Sequence, residues 1–190
     1  CNTASTLVLP DLRARFSVPF VGTVPAIKPA CATSRSRLVS VLGTEATVQR
    51  EYTQGLIRDF AQGCDVTLVG SERLAAIAEA ALREEPVDDK EVSREIAPCF
   101  VDRDGRRTDV VVLACTHFPL LLDRLQRLAP WPVDWLDPAE AIARRVADLL
   151  GPADGAEAAG IATAEFTSGE PPSEALNASL RRFGLEPAEL

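Results

Sequence analysis

Two cysteines stand at the head of short polar runs, Cys1-Asn2-Thr3 and Cys115-Thr116-His117. The second follows an apolar run, Val110-Val111-Val112-Leu113-Ala114, and Pro119 comes soon after it. A residue at the C-terminal end of a buried strand faces the ligand side of an open α/β sheet. A helix opening just beyond would offer unpaired N–H groups that attract a carboxylate and lower a thiol pKa. Cys1 would occupy the same kind of turn if an apolar strand precedes it, with Asn2, Thr3 and Ser5 as donors. Two thiols opposed across one pocket suit the inversion of a weak carbon acid such as the Cα of an amino acid. One thiolate takes the proton from one face while the other thiol supplies one to the opposite face, and the roles exchange with direction. Nearby N–H groups and hydroxyls would hold the charge that develops on the substrate carboxylate. This chemistry needs no pyridoxal cofactor. The only lysines, Lys28 and Lys90, follow no obvious strand end.

Each of these residues also has a plainer reading. A lone cysteine at a strand end is most often packing, and a lone histidine there most often a cap or core residue. The pairing of two such motifs favours chemistry. Thr47 could cap a helix, contact a ligand, or do both. Glu79, taken alone, reads as a solvated helix-face carboxylate. Cys31, Cys64 and Cys99 carry no motif and read as packing residues, and Glu84-Glu85 and Asp88-Asp89 read as solvated loop charges.

Composition narrows the classes. The chain has 190 residues, 46% apolar and 25% charged, within the ordinary globular range. A net charge of −8 leaves no basic footprint for nucleic acid. No apolar run is long enough for a membrane span. The five cysteines form no C-x-x-C pair, and the single histidine cannot complete a usual Cys/His zinc set, so no metal is expected. Odd, widely spaced cysteines fit a reducing cytoplasmic setting better than a secreted disulfide framework. There is no methionine, even at position 1. The chain is therefore expected to be a fragment lacking its natural N-terminal part, with proteolytic maturation to an N-terminal cysteine as the rival explanation.

Valine-rich runs alternate with amphipathic stretches, which predicts β-α units and a parallel sheet. Strands are expected at Pro19–Val24, Leu38–Gly43, Val66–Gly70, Val110–Cys115 and Val133–Asp137. Helices are expected at Asp11–Phe16, Thr47–Gln62, Ser71–Arg83, Pro119–Leu128 and Pro138–Leu150, with Ser71 as an N-cap. The charged segment from Glu84 to Arg107 breaks the rhythm, and Val92–Val101 reads as a loop or a short strand. Gly151–Gly160 reads as a surface connection, Ile161–Ser168 as a last strand, and about Ser173 to Phe183 as a C-terminal helix.

Cys1-Asn2-Thr3-Ala4-Ser5 and Cys115-Thr116-His117-Phe118-Pro119-Leu120-Leu121 resemble the two signature motifs of bacterial glutamate racemases. The resemblance extends through Val21-Gly22-Thr23-Val24-Pro25, Gly43-Thr44-Glu45-Ala46-Thr47 and Thr167-Ser168-Gly169-Glu170, and so spans nearly the whole chain. It implies a cofactor-independent conversion of L- to D-glutamate that supplies peptidoglycan, with Cys1 and Cys115 as the acid/base pair. It further implies that Asn2, Thr3, Thr47, Thr116 and His117 contact substrate, that His117 assists Cys115, and that Glu79 partners His117. The implied fold is two similar parallel-sheet α/β domains with the active site between them. Cys1 to about Val24 would belong to the first, Pro25 to about Pro132 to the second, and Val133 to Leu190 would return to the first, which would be incomplete in this chain. Alone, such a chain is expected to expose apolar surface and fail to racemise glutamate. The family implies a small-molecule partner and admits a homodimer; no nucleic acid or membrane partner is expected.

Three alternatives stand beside this. A racemase of aspartate or a related acid usually resembles C-T-E at the second motif, so His117 favours glutamate. A hydrolase with Cys1 as N-terminal nucleophile needs a layered antiparallel sheet and leaves Cys115-Thr-His unexplained. A non-catalytic binding remnant is the third, since some glutamate racemases also bind DNA gyrase.

Overall fold

A computed structural model describes residues 2–61, 63–151 and 161–187. The chain runs through helix α1 (Asn2–Arg15), helix α2 (Ile27–Thr33) and strand β1 (Leu38–Thr44), then helices α3 (Glu45–Val48) and α4 (Glu51–Phe60). Strand β2 (Asp65–Ser71), helices α5 (Leu74–Leu82) and α6 (Asp89–Ile96), and a hairpin of β3 (Asp102–Arg103) and β4 (Arg106–Arg107) follow. Strand β5 (Val110–Leu113), helix α7 (Leu122–Leu128), strand β6 (Asp134–Leu136) and helix α8 (Ala139–Leu150) come next. The described part ends with strand β7 (Ala162–Ala164), helix α9 (Glu174–Arg182) and strand β8 (Leu185–Pro187).

Four strands form one parallel sheet in the order β2-β1-β5-β6. Alternate residues feed opposite faces, as the two-residue period of a strand requires. Leu42, Val69, Val111 and Leu113 join Leu74, Ile77, Val92, Ile96 and Leu125 on one face. Val39, Val41, Val110 and Val112 join Ile27, Ala30 and Cys31 on the other, with Leu56 and Ile57 of α4 packed against them. Burial on both faces is why these strands read as continuous apolar runs.

The connection leaving β1 turns to the α4 face, whereas the one leaving β5 turns to the α7 face. Chain segments that part in this way open a crevice between neighbouring strand ends, the place where ligands bind in open α/β sheets. Thr44–Thr47 and Cys115–His117 flank that crevice.

At the opposite end of β5, Asp109 gathers the loop after α2. Its carboxylate accepts from Ser34 Oγ at 2.6 Å, Arg35 N at 2.7 Å and Ser36 N at 2.8 Å. Burial alone would raise its pKa, but these donors outweigh burial and hold it below the ordinary carboxyl value. A depressed folded-state pKa gives stability that is present above the unfolded value, about 3.9, and is lost as pH falls through the folded one. Asp109→Asn is therefore expected to lower the unfolding temperature at pH 7, with the gap to wild type closing as pH falls below the unfolded value and through the depressed folded one. Thermal unfolding at several pH values checks this.

Several expected elements differ. Pro19–Val24 has no ladder partner among the described residues and runs as an extended segment against α1. Helix α1 starts at Asn2 rather than Asp11 and holds Pro10 inside it, where proline reads from sequence as a boundary. The helix expected over Thr47–Gln62 is two helices, α3 and α4; Gln62 itself lies outside the described residues. Val92–Val101 is neither loop nor strand: α6 is capped by the Asp88 side chain accepting from Lys90 N, and Val92 and Ile96, one turn apart, go into the core. A single 3₁₀ turn, Phe118–Leu121, precedes α7. Asp89 is not a free loop charge, since Arg124 and Arg127 of α7 both pair with it. The expected connection at 152–160 lies outside the described residues, and the last strand is confined to Ala162–Ala164. Strand β6 lies beyond position 132 yet pairs with β5, so the main sheet runs to Leu136.

Exposed apolar side chains include Leu7, Val8, Phe16, Val18, Leu149 and Leu150. No helix among the described residues is long and apolar enough to cross a membrane.

Candidate active site

Cys115 follows the buried β5 strand after one residue, Ala114. Ala114 N donates to Leu42 O at 2.7 Å, which locks the end of β5 against β1 just before the thiol. The turn then closes through Phe118 N to Cys115 O at 3.2 Å and Leu120 N to His117 O at 3.1 Å. Cys115 is 9% exposed and packs in the Leu113–Phe118 core. Its pKa is raised, not lowered as the sequence implied. Burial is the dominant cause, and the backbone N–H groups of His117 and Phe118 only partly offset it. A 3₁₀ turn, Phe118–Leu121, stands between the thiol and α7, and desolvation of the sulfur outweighs the two N–H groups. Cys115 therefore rests as a thiol at neutral pH.

His117 links that thiol to α5. Its Nδ1 lies 3.8 Å from Cys115 Sγ and its Nε2 lies 2.8 Å from Glu79 Oε1. An ionised Glu79 can only accept, so it holds the proton on Nε2 and leaves Nδ1 as a base facing the sulfur. Arg83, one turn along α5, donates to the other Glu79 oxygen at 3.3 Å. The order Cys115–His117–Glu79–Arg83 is a continuous polar chain leading from a buried thiol to solvent. Thr116, between Cys115 and His117, is exposed at the turn.

Thr47 sits across the crevice in α3. The Thr44 side chain caps this helix, accepting from Thr47 N at 3.3 Å, and the two hydroxyls lie 3.0 Å apart. Thr53 donates to Thr47 O at 2.7 Å, so the buried Thr47 is fixed by its neighbours before and after it. Gly70 makes the position possible. A Cβ there would come within 3.1 Å of the Glu45 backbone and 3.0 Å of Val48, lifting α3 off the end of β2.

Helix α1 contacts α3. Asn2, in its first turn, is 4% exposed, and its Oδ1 accepts from Thr23 Oγ1 at 3.0 Å. Its Nδ2 is buried and has no hydrogen-bond partner among the described residues. An unmet buried donor costs about 1–3 kcal/mol, so an acceptor brought to it is bound with that advantage. Thr3 occupies the same first turn. Cys1 lies outside the described residues. An apolar cavity of about 320 Å³ is lined by the segment 21–25 with α2, α4 and α8; it includes Thr23 but none of the expected site residues.

Thr23 and Thr44 fall in runs that carry the resemblance, but sequence reasoning assigns no role to them or to Thr53. Thr44 carries a further signal, a Thr three residues before a buried Thr at a strand-to-helix junction. The contacts of Thr23 and Thr53 follow from how the chain packs and have no local signal. Burial pushes the Cys99 thiol up to about 12, and burial with a hydrogen bond to Cys64 does the same for Cys31. Neither is a nucleophile near neutral pH.

Comparison with known proteins bears on this arrangement. The family model for Asp/Glu/hydantoin racemases matches residues 1–146. The glutamate racemase of Mesorhizobium japonicum is 58% identical over 187 residues, covering 97% of this chain and 71% of the relative. That of Agrobacterium fabrum is also 58% identical, covering 97% of this chain and 68% of the relative. Among solved structures, Escherichia coli glutamate racemase in complex with L-glutamate and the activator UDP-MurNAc-Ala superposes with a TM-score of 0.85 at 40% identity. The match covers 98% of this chain and 71% of that one. Glutamate racemase RacE1 of Bacillus anthracis, at 21% identity and a TM-score of 0.70, shares the fold over the whole of this chain and 72% of its own.

Proposed function

This chain belongs to the Asp/Glu/hydantoin racemase family, and we propose that it interconverts L- and D-glutamate by passing protons between two cysteines. The carrying observation is the turn in which a buried Cys115 thiol faces His117 Nδ1 while Glu79 holds Nε2. The reaction class, an amino-acid racemase, goes with the family; the residue roles below are our reading. D-glutamate made in this way is a precursor of peptidoglycan.

Glutamate enters the crevice with its α-carboxylate toward the strand ends, where Asn2, Thr3, Thr47 and Thr116 donate to it. In one direction the Cys1 thiolate removes the Cα proton and the Cys115 thiol delivers its own to the opposite face. The charge that builds on the carboxylate between the two steps is held by those donors. Afterwards Cys1 is a thiol and Cys115 a thiolate, poised for the reverse reaction. For Cys115 to act first as base, its proton must leave a thiol whose pKa burial has raised. His117 Nδ1 receives it, and Glu79 balances the imidazolium. In this reading the residues before Pro25 and those after β6 form one domain and the main sheet the other, with the crevice between them. A second copy of the chain as partner is compatible with it.

The test follows racemisation from each enantiomer by circular dichroism. Glutamate from either side is expected to converge on an equal mixture, and aspartate to react far more slowly. Faster turnover of aspartate would contradict the substrate assignment. Glu79→Gln keeps the shape and removes the charge. It is expected to lower kcat about tenfold in the direction that begins with Cys115 as base and less in the other, with KM nearly unchanged. Steady-state kinetics in both directions checks this.

A further inference from the structure

We infer that Thr23 is a positioning residue of the active site, setting the orientation of the Asn2 carboxamide so that its N–H groups, not its oxygen, meet the substrate carboxylate. This rests on the reading of Asn2 as a substrate contact.

A carboxamide can turn over and present either its oxygen or its NH₂ to the same point, and the two ends differ little in shape. An oxygen facing a carboxylate repels it; an NH₂ binds it. Something must therefore break the tie. Thr23 Oγ1 donates to Asn2 Oδ1 at 3.0 Å with both side chains buried, 6% and 4% exposed. With the oxygen taken by Thr23, Nδ2, which has no hydrogen-bond partner among the described residues, is the end available to an anion.

Thr23 is itself held. Its backbone N–H donates to Ser5 Oγ at 3.3 Å, one turn further along α1, so the segment is laced to the first turns of the helix at two points. Gly22 permits this approach: a Cβ there would overlap the Leu9 side chain and press on Ser5. The extended stretch that pairs with no strand thus has a use. It is a brace that carries one hydroxyl to the carboxamide behind the substrate contact.

The experiment compares Thr23→Val, Thr23→Ser, Asn2→Ala, Asn2→Asp and the Thr23→Val/Asn2→Ala double variant in the full-length protein. It reads kcat and KM for both glutamate enantiomers together with thermal unfolding. Thr23→Val keeps the shape and removes the hydroxyl. It is expected to lower kcat/KM threefold to about tenfold in both directions, the range for loss of one buried hydrogen bond. Thr23→Ser is expected to restore wild-type values. Asn2→Asp keeps the oxygen that Thr23 needs but removes the donor, and is expected to do at least as much harm as Asn2→Ala. In the double variant Thr23→Val should add nothing to Asn2→Ala, because no carboxamide remains to be oriented. Additive losses, or a Thr23→Val that unfolds earlier while keeping kcat/KM, would overturn the inference. If Asn2→Ala itself keeps kcat/KM, the reading of Asn2 fails, and the role of Thr23 with it.

Discussion

Cys115→Ser is expected to lower kcat for glutamate by at least about 10³ in both directions, near the upper range for loss of one general acid or base. The serine hydroxyl is far less acidic than a thiol, so it neither gives up its proton to a developing carbanion nor returns as a base near neutral pH. Folding should be spared, since the substitution is nearly isosteric and the site is a turn locked by backbone bonds from Phe118 and Leu120. The informative residue of activity is exchange. The remaining thiol still reaches one face of the substrate, so solvent deuterium should enter the Cα of one enantiomer while inversion is lost. Proton NMR of each enantiomer in D₂O measures this directly. Undiminished inversion would remove Cys115 from the mechanism.

His117→Asn has the second largest expected effect, about 10² in kcat for the direction in which Cys115 must first lose its proton. Burial raises the Cys115 pKa, and the N–H groups of His117 and Phe118 do not fully compensate. At neutral pH the thiolate is therefore scarce unless a base takes the proton, and His117 Nδ1 at 3.8 Å is the base in place. The opposite direction starts with Cys115 as a thiol, its resting form, and should suffer less at its first step. The sign of the pH dependence follows. Raising the pH toward the raised thiol value populates thiolate without assistance, so the deficit of the variant should shrink as pH increases. A deficit that is constant from pH 7 to pH 10 would assign His117 to binding alone.

The parts of the fold that could be read from sequence are those where one physical demand dominates. Val110–Leu113 is apolar at every position because both faces of the sheet are covered, and a run of that kind has few other homes. Cys115 at its end was legible for the same reason. Pro19–Val24 shows what such a signal leaves out. An apolar, β-branched stretch specifies extended backbone, but a strand also needs a partner. Here the donors are Thr23 N and Oγ1, and they go to side chains of α1. Charge hid α6, in which only Val92 and Ile96 face the core and the remaining positions are polar or charged.

The candidate site divides in the same manner. Residues in the two cysteine motifs announce themselves by spacing, and Thr47 follows a glycine-threonine turn. Glu79 meets His117 across thirty-eight positions, and nothing local marks one α5 carboxylate among the chain's many. The sequence points to the wrong sign for the thiol pKa because it shows the helical turn after Cys115 but not the dry core around the sulfur.

The central claim is that two groups on opposite faces handle the proton. L-glutamate incubated with the protein in D₂O and sampled within the first few per cent of conversion tests it most directly. The account predicts D-glutamate fully deuterated at Cα, because the proton delivered comes from the second thiol, while recovered L-glutamate still carries hydrogen. D-glutamate that keeps its original hydrogen would mean one group both takes and returns the proton, and would contradict the account.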